Sequence, residues 1–450
     1  MKFKTFITIF FGMIICQPCA MRAQETPAWA KESVEKREQR MAWWRHDRFG
    51  MFIHWGLYAL PARHEWVKNH EKISDENYQK YFDRFDPDLF NPKEWAAKAR
   101  EAGMKYVVIT TKHHDGFCLW DSKYTDFKAT KTPYGKDLIK PFVEAFRAEG
   151  LRIGFYYSLI DWHHPDFTYD YFHPNGPQNS EERKTANANR DIKKYQQYLK
   201  DQITEIMTQF GQIDELFLDF SYPGADGKGR NDWDSENLIK LIRKLQPQIL
   251  IDDRADLNDT DWGWDFKTPE QYMPSEWPTV NGKRVAWETC QTFSGSWGYH
   301  RDEQSWKNVR QLLTMLIEVT SKGGNLLLNV GPTARGLFDD RANASLEGMG
   351  QWMKYHSRSI YGCTQAPEEF TVPKNCLLTY NPERKRLYIH ILEWPIHALR
   401  LPAYAGKFKY AQLLNDASEA RYKTEDNNII FDLPLRKPPV EIPVIELFLE

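Results

Sequence analysis

The sequence predicts an α/β fold: a (β/α)8-like, TIM-type catalytic barrel followed by a C-terminal antiparallel β-sandwich. Strand-like segments alternate with helical segments over most of the chain, which implies parallel strand pairing. Polar residues follow at least five of these strands, as at the carboxyl end of a barrel, whereas an open sheet concentrates its site at one switch point. Beyond about residue 358, short strands alternate with turns, a pattern typical of a sandwich.

The length of the chain favours two domains, and its N-terminal sequence favours an exported protein. A chain of 450 residues with a net charge of −2 favours two domains and indicates neither a nucleic-acid partner nor an anionic membrane surface. Lys2 and Lys4 precede a short apolar run that ends in small and polar residues, which predicts a signal peptide over residues 1–23 and no membrane span. We therefore expect a catalytic domain over 24–357, a sandwich over 358–450, and a periplasmic or extracellular location.

The first elements end at candidate site residues. A charged helical segment over 27–48 leads into a short apolar strand that stops at His54. The segment 91–94, Asn-Pro-Lys-Glu, predicts a helix start with Asn as N-cap and Pro at the first helical position, and Gly103 predicts its end. The buried strand that begins at Tyr106 then runs into Lys-His-His-Asp at 112–115.

The alternation continues to the end of the barrel. We expect helices over 137–149, 181–210, 234–244 and 303–321, and strands over 151–158, 213–219, 249–254, 284–288 and 325–330. In the sandwich we expect strands over 376–380, 386–391, 398–401, 409–414 and 429–433, with a hairpin turn at 381–384.

The candidate site residues share positions at strand ends or in adjacent loops. They are His54, Glu65, Trp66, His113, His114, Tyr156, Asp219, Arg254, Glu270 and Glu288. Aromatic, His and carboxylate side chains without a cofactor motif suit a carbohydrate, because aromatic planes stack on sugars and a carboxylate pair cleaves the glycosidic bond. We expect no cofactor.

A metal site is the weaker interpretation of the same residues. The adjacent pair His113 and His114 can rarely supply two ligands to one ion, and no H-x-H or H-x-x-x-H pattern occurs. We therefore expect no metal, and a metal-dependent hydrolase that uses this His pair is an alternative.

Several sequence blocks resemble those of α-L-fucosidases of glycoside hydrolase family 29. The blocks are FIHWG at 52–56, TTKHHDGF at 110–117, GFYYS at 154–158, WETC at 287–290, SWGY at 296–299 and GGNLLLNVGP at 323–332. The resemblance implies a barrel with a β-sandwich and retaining hydrolysis of terminal α-linked L-fucose through a covalent fucosyl-enzyme. It implies fucosylated oligosaccharides or glycoconjugate glycans as substrates, and a separation of roughly 5–5.5 Å between the catalytic carboxylates.

The resemblance also implies a role for each site residue. Asp219 would be the nucleophile. His54, His113 and His114 would donate or accept hydrogen bonds with fucose hydroxyls, and Glu65 and Trp66 would hold the other edge of the sugar. Tyr156 would lie beside the nucleophile, and Arg254 would line the pocket. Trp297 would form an apolar wall for the C5 methyl group.

Glu270 and Glu288 compete for the general acid/base role. Glu288 belongs to the more recognisable motif, but the end of an apolar strand also suits a buried carboxylate that orients its neighbours. Glu270 lies in a loop after the Arg254 strand, and loops over a barrel mouth can reach the leaving group. We expect Glu270 to be the acid/base and Glu288 to contribute to substrate binding.

The sequence departs from the family pattern in three places. Relatives often have Trp where Phe217 stands, glycine near Phe220 and Ser221, and Lys where Ala286 stands. These differences concern the preference for the aglycone. A rival hypothesis, a non-catalytic fucose-binding protein, predicts a missing nucleophile, whereas Asp219 is present.

Overall fold

The computed structural model describes residues 26–449, so the predicted signal peptide over 1–23 lies outside the described residues. The helices are α1 Val34–Asp47, α2 Val67–His70, α3 Asp75–Phe82, α4 Pro92–Glu101, α5 Ile139–Ala148, α6 Ser180–Ala186, α7 Ile192–Thr208, α8 Arg230–Trp233, α9 Ser235–Leu245, α10 Val309–Ser321 and α11 Asp340–His356. The strands before residue 340 are β1 Phe49–Ile53, β2 Tyr106–Lys112, β3 Arg152–Ser158, β4 Glu215–Asp219, β5 Leu250–Ile251, β6 Thr279–Val280, β7 Lys283–Arg284, β8 Glu288–Thr292 and β9 Asn325–Val330.

Seven of these strands form one parallel sheet in the order β5-β4-β3-β2-β1-β9-β8. Segment 266–270 lies between the two edge strands: Phe266 pairs with Asp252 beside β5, and Glu270 pairs with Cys290 of β8. The ring of strands therefore follows chain order, as in a (β/α)8 barrel, and the predicted barrel is confirmed.

The barrel interior is filled by side chains from every strand of the ring. These are Phe52, Tyr106, Val108, Tyr156, Phe217, Leu250, Phe266, Cys290 and Leu327, and Met41 and Trp44 of α1 pack against them. Tyr106 and Val108 are two residues apart because alternate side chains of a strand face the same side. Since α1 precedes β1, it covers the amino end of the barrel and leaves the carboxyl end open.

Capping side chains explain where the helices differ from the predictions. Asn91 accepts a hydrogen bond from the backbone of Glu94 and begins α4, as predicted. The single helix predicted over 181–210 is wrong, because Asp191 caps the start of a second helix, α7. Ser33 and Asn308 likewise begin α1 and α10 later than the residue pattern indicates.

The predicted strand over 284–288 is wrong, and this changes the position of Glu288. The strand β8 begins at Glu288 rather than ending there, while residues 279–284 form the small β6–β7 hairpin. Four of the five β8 residues are polar, although all five are buried. Because polar residues are not typical of a buried strand, the sequence pattern predicted the strand over the more apolar residues that precede Glu288.

The C-terminal region contains two antiparallel sheets. Its strands are β10 Cys376–Asn381, β11 Arg386–Ile391, β12 Ala398–Leu401, β13 Phe408–Leu413, β14 Tyr422–Glu425, β15 Asn428–Asp432 and β16 Val444–Leu449. The sheets have the orders β10-β11-β16-β13 and β12-β15-β14, and they share a core that includes Ile389, Phe431 and Leu447. The predicted sandwich is confirmed, with β14 and β16 as additions. The domain boundary at 357/358 stays a prediction and falls just after α11.

Candidate active site

The carboxyl ends of the barrel strands surround one cavity of about 940 Å³. Ten residues expected at the site line it: His54, Glu65, Trp66, His113, His114, Tyr156, Asp219, Arg254, Glu270 and Trp297. They come from strand ends and loops that are distant in sequence, and the parallel barrel brings them to the same rim.

Asp219 is the last residue of β4, and both of its carboxylate oxygens accept hydrogen bonds. The Tyr156 hydroxyl donates to Oδ2 at 2.7 Å, and Nη1 of Arg254 donates to Oδ1 at 2.7 Å. Burial and the negative charge of Asp219 raise the pKa of Tyr156 well above its ordinary value, so Tyr156 is a neutral donor. These contacts hold the side chain of Asp219 at the wall of the cavity.

Glu270 shares the same guanidinium nitrogen. Nη1 of Arg254 donates to Oε2 of Glu270 at 2.8 Å, so this oxygen and Oδ1 of Asp219 are at most about 5.5 Å apart. This limit is compatible with the closely spaced carboxylate pair of retaining glycosidases and excludes the wider spacing of inverting ones for these two oxygens. Burial alone would lower the pKa of Arg254, but Asp219 and Glu270 reverse that effect and raise it. The side chain of Glu270 is 43% exposed, compared with 12% for Asp219. The two carboxylates therefore differ in access to solvent.

His54 is held in one tautomer by Asn329. The Asn329 amide Nδ2 donates to the Trp297 carbonyl at 2.7 Å, so its Oδ1 is the acceptor for His54 Nδ1–H at 2.7 Å. Burial lowers the pKa of His54 to about 3, which keeps the ring neutral. His54 Nε2 is therefore an acceptor.

His114 is oriented in the same way by Ser158. The Ser158 hydroxyl donates its proton to the Ile160 carbonyl at 2.7 Å, so it accepts from His114 Nδ1–H at 2.7 Å. Burial lowers the pKa of His114 well below its ordinary value, and its Nε2, 3.8 Å from Oδ2 of Asp219, is left as an acceptor. The adjacent His113 is also kept neutral by burial.

Glu65 joins two loops at the rim. Its Oε2 accepts from the backbone N–H of Gly298 at 2.8 Å and of Trp297 at 3.1 Å, which fixes the Trp297 ring against His54 with ring centroids 5.0 Å apart. Its Oε1 is buried and accepts no hydrogen bond from the described residues. Burial raises the pKa of Glu65 to about 7. Nδ1 of His64 lies 3.2 Å from this Oε1, but it accepts from the backbone N–H of Trp66 and so does not donate to Glu65. Oε1 of Glu65 therefore has an unused capacity to accept a hydrogen bond.

The structure places Glu288 away from this cavity. As the first residue of β8 it lies at the opposite, amino end of the barrel, with no exposed surface, and the Tyr106 hydroxyl donates to its Oε2. This position explains why the expectation of a substrate contact from Glu288 is not met: a side chain at the amino end of a barrel strand points to the floor, not the mouth.

The sequence did not indicate an aromatic group beside Asp219. Phe172, Phe220 and Tyr222 line the cavity together with the exposed Tyr171. The sequence did carry one signal, because Phe220 follows Asp219 where relatives often have glycine. Phe220 has a φ of 82°, a conformation that favours glycine, so the presence of phenylalanine here costs backbone strain.

Neither a metal centre nor a membrane span is evident between residues 26 and 449. Over this range no group of three or more His, Cys, Asp or Glu side chains is arranged to hold a metal ion. None of the helices described there has both the length and the apolar character needed to cross a bilayer.

The barrel and the carboxylate pair at its mouth define the class of the protein: a barrel glycoside hydrolase. Residues 14–358 match the family described as alpha-L-fucosidase. The chain belongs to the α-L-fucosidase family, which confirms the resemblance seen in its motifs.

Similar proteins from animals and bacteria carry the same name. The rat (Rattus norvegicus) plasma alpha-L-fucosidase is 30% identical over 400 residues, which cover 82% of this chain and 80% of the relative. The structure of alpha-L-fucosidase isoenzyme 1 from Paenibacillus thiaminolyticus has a TM-score of 0.86 at 43% identity and covers 92% of this chain and 99% of its own. A Bacteroides thetaiotaomicron α-L-fucosidase, described as a trapped covalent intermediate in complex with 2-fluoro-fucosyl fluoride, has a TM-score of 0.79 at 28% identity, with 91% and 95% coverage.

Proposed function

We propose that this protein is a retaining exo-α-L-fucosidase that releases terminal α-linked L-fucose from glycans through a covalent fucosyl-enzyme. The observation that carries the proposal is the contact of Asp219 and Glu270 with one nitrogen of Arg254. Because both oxygens contact the same nitrogen, they are at most about 5.5 Å apart, and so close a pair suits attack by one carboxylate rather than by an intervening water.

In the first step Asp219 attacks the anomeric carbon while Glu270 donates a proton to the departing glycosidic oxygen. The C–O bond to the aglycone breaks and an ester bond to Asp219 forms. In the second step Glu270 takes a proton from water, the water attacks the anomeric carbon, and Asp219 leaves as a carboxylate. The greater exposure of Glu270 suits this role, since its proton must reach both the aglycone and water.

Recognition of fucose rests on acceptors that cannot become cationic. Nε2 of His54 and Nε2 of His114 accept hydrogen bonds from sugar hydroxyls, because the other ring nitrogen of each donates to a protein acceptor. Oε1 of Glu65 gains the hydrogen bond that it lacks in the free protein. Trp297, held by the Glu65 loop contact, supplies an apolar wall for the C5 methyl group.

The relatives support this proposal. The Bacteroides thetaiotaomicron enzyme is described as a trapped covalent intermediate, which is the species that a retaining mechanism requires. The family match extends the expectation of fucosylated glycan substrates to this chain.

The stereochemistry of the product tests the proposal. Hydrolysis of an α-L-fucoside followed by NMR should show α-L-fucose first, with the β-anomer appearing only by later mutarotation. Initial formation of β-L-fucose would contradict the retaining mechanism. Binding of fucose with no release from any fucoside would instead favour the non-catalytic binding protein.

Export is a separate proposal that rests on the N-terminal sequence. The basic residues Lys2 and Lys4 and the apolar run after them support cleavage near Ala23 and a periplasmic or extracellular location. N-terminal sequencing of the protein from its native host tests this, and a retained Met1 would contradict it.

A further inference from the structure

The cavity is larger than one fucose requires, and part of its additional lining is aromatic. At about 940 Å³ it lies near the upper end of the ~300–1,000 Å³ that hold drug-sized ligands, whereas a monosaccharide is much smaller. Beyond the residues assigned to fucose, polar residues such as Ser221, Asp256 and Asn258 line the cavity together with one group of aromatic side chains. This group, which we call the aromatic shelf, consists of Tyr171, Phe172, Phe220 and Tyr222.

We propose that the aromatic shelf is the subsite for the pyranose that carries the fucose, which is the leaving group in hydrolysis and the acceptor in the reverse transfer. The proposal rests on the proposed function, because it places a leaving sugar beside the fucose that Asp219 attacks. The ligand chemistry is an uncharged hexose or N-acetylhexosamine whose C–H face stacks on aromatic rings.

The shelf is continuous with the predicted fucose pocket. Phe220 follows Asp219 directly and contacts Trp66 with ring centroids 5.2 Å apart. The rings of Phe220 and Tyr222 are 5.0 Å apart, and those of Tyr222 and Tyr171 are 5.5 Å apart. A sugar that leaves the anomeric carbon therefore meets aromatic surface out to Tyr171, whose side chain is 45% exposed.

One buried carboxylate fixes both sides of the shelf. Oδ1 of Asp170 accepts from the backbone N–H of Phe172 at 2.9 Å, which sets the loop that carries Tyr171. Oδ2 of Asp170 accepts from the Tyr222 hydroxyl at 2.5 Å and from Lys228 Nζ at 2.9 Å. Tyr222 and Lys228 also pair through their backbones, which closes the loop after Phe220. The shelf is thus preorganised, as a binding surface must be to avoid an ordering cost.

A second route for the leaving sugar passes on the other side of Glu270. A cavity of about 440 Å³ shares Gln271 with the catalytic cavity and presents Tyr272, which is 61% exposed. This cavity is lined by α10 residues such as Arg310 rather than by packed aromatic rings. It lacks the direct contact with the nucleophile's neighbour Phe220, so we favour the shelf.

The test compares substrates with and without a leaving sugar. For each variant, kcat/KM is measured on a fucosylated oligosaccharide and on α-L-fucosyl fluoride, whose leaving group is too small to reach the shelf. The ratio is the kcat/KM for the oligosaccharide divided by the kcat/KM for fucosyl fluoride. For Tyr171→Ala this ratio should fall about tenfold, and Tyr171→Phe should keep it near that of the unaltered protein because the ring remains. The matched control is Tyr355→Ala, an exposed tyrosine of α11 outside the cavity, for which the ratio should not change.

The fucosyl-enzyme can be hydrolysed by water or can transfer fucose to an acceptor sugar, and the ratio of these outcomes provides a second measurement. With fucosyl fluoride as donor and lactose as acceptor, Tyr171→Ala should lower the ratio of transfer to hydrolysis. Equal losses on both substrates, or a fall in the ratio for Tyr272→Ala but not for Tyr171→Ala, would overturn the proposal. If the unaltered protein does not hydrolyse fucosyl fluoride, the proposed function fails rather than the assignment of the shelf.

Discussion

The two ends of the barrel interior hold the same kinds of side chain in opposite environments. At the mouth, Asp219 and Glu270 share Arg254 and line an open cavity. At the floor, Glu215 and Glu288 are fully buried, and Glu288 receives a hydrogen bond from the neutral hydroxyl of Tyr106.

Three of the four oxygens of the floor carboxyls lack a hydrogen-bond donor among the described residues. Both oxygens of Glu215 and Oε1 of Glu288 accept no hydrogen bond from the described residues. Burial raises the pKa of Glu288 to about 7, and burial together with the nearby Glu288 raises the pKa of Glu215 well above its ordinary value. An unpaired buried carboxylate is costly, so this pair is held in a protonated form.

Position on the strand, rather than residue type, decides whether a carboxyl group of this barrel reaches the cavity. Asp219 ends β4, whereas Glu215 begins the same strand. The length of one short strand therefore separates a carboxylate that lines the cavity from a buried carboxyl whose pKa is raised.

Replacing Asp219 should have the largest effect. Asp219→Gly removes the group that forms the covalent bond, so kcat should fall by about 10⁴-fold or more. Azide can occupy the space left by the side chain, and it should restore part of the rate on an activated fucoside and give the inverted fucosyl azide.

The matched floor variant is Glu288→Gln, which keeps the shape of the side chain. Because Glu288 does not line the cavity, the kcat of this variant should stay within a few-fold of that of the unaltered protein. A wild-type rate for Asp219→Gly would show that another carboxylate attacks.

Glu270 and Glu288 should differ in their dependence on the leaving group. Glu270→Ala should lose about 10²–10⁴-fold on a fucosylated oligosaccharide and far less on a fucoside of an acidic phenol, since a good leaving group needs little protonation. Glu270→Ala should also accumulate the fucosyl-enzyme with the phenol substrate, as measured by mass spectrometry of the intact protein. If Glu288→Ala shows this dependence and Glu270→Ala does not, the two roles are reversed.

Much of the mouth could be predicted from the sequence because its residues follow strongly apolar strands. Asp219 comes after Leu216-Phe217-Leu218, and His113 comes after Tyr106–Thr111, so strand ends could be read directly. The motif resemblance then added loop residues such as Glu65, whose position no local pattern indicates.

The floor could not be predicted, because it depends on a strand whose own residues are polar. Glu288–Thr292 is buried on both sides, yet it reads as a loop, and the preceding Val285 and Ala286 attract the strand assignment. The aromatic shelf was missed for another reason: the contact of Phe172 with Phe220 joins two loops far apart in sequence.

Replacing a mouth histidine should have a smaller effect than replacing a carboxylate. His114→Ala removes one acceptor for a sugar hydroxyl, so kcat/KM should fall about 10- to 100-fold. The matched control is His397→Ala, an exposed histidine of the sandwich, which should keep its rate.

Chelation separates hydroxyl recognition from metal binding at the same histidines. Activity of the unaltered protein should survive dialysis against EDTA, because His113 and His114 are assigned to sugar contacts. Full inactivation by EDTA, reversed by zinc, would instead support the metal-dependent hydrolase.

The smallest effect concerns stability and comes from the floor alone. The pKa of Glu288 rises from 4.5 to about 7 on folding, so between these values the native protein holds a proton that the unfolded chain has lost. Stability from this group is therefore fully present below pH 4.5 and decreases as the pH rises toward 7, by about 3 kcal/mol at ~1.36 kcal/mol per pKa unit.

In Glu288→Gln the amide cannot ionise, so the free energy of unfolding should vary less between pH 5 and pH 8. Urea unfolding at both pH values measures this difference, and Glu215→Gln should also flatten the dependence because it removes a second carboxyl whose pKa is raised in the folded protein. Parallel curves for the unaltered protein and both variants would mean that the floor carboxyls titrate as they do in the unfolded chain, and the contrast between mouth and floor would then rest on geometry without a difference in charge.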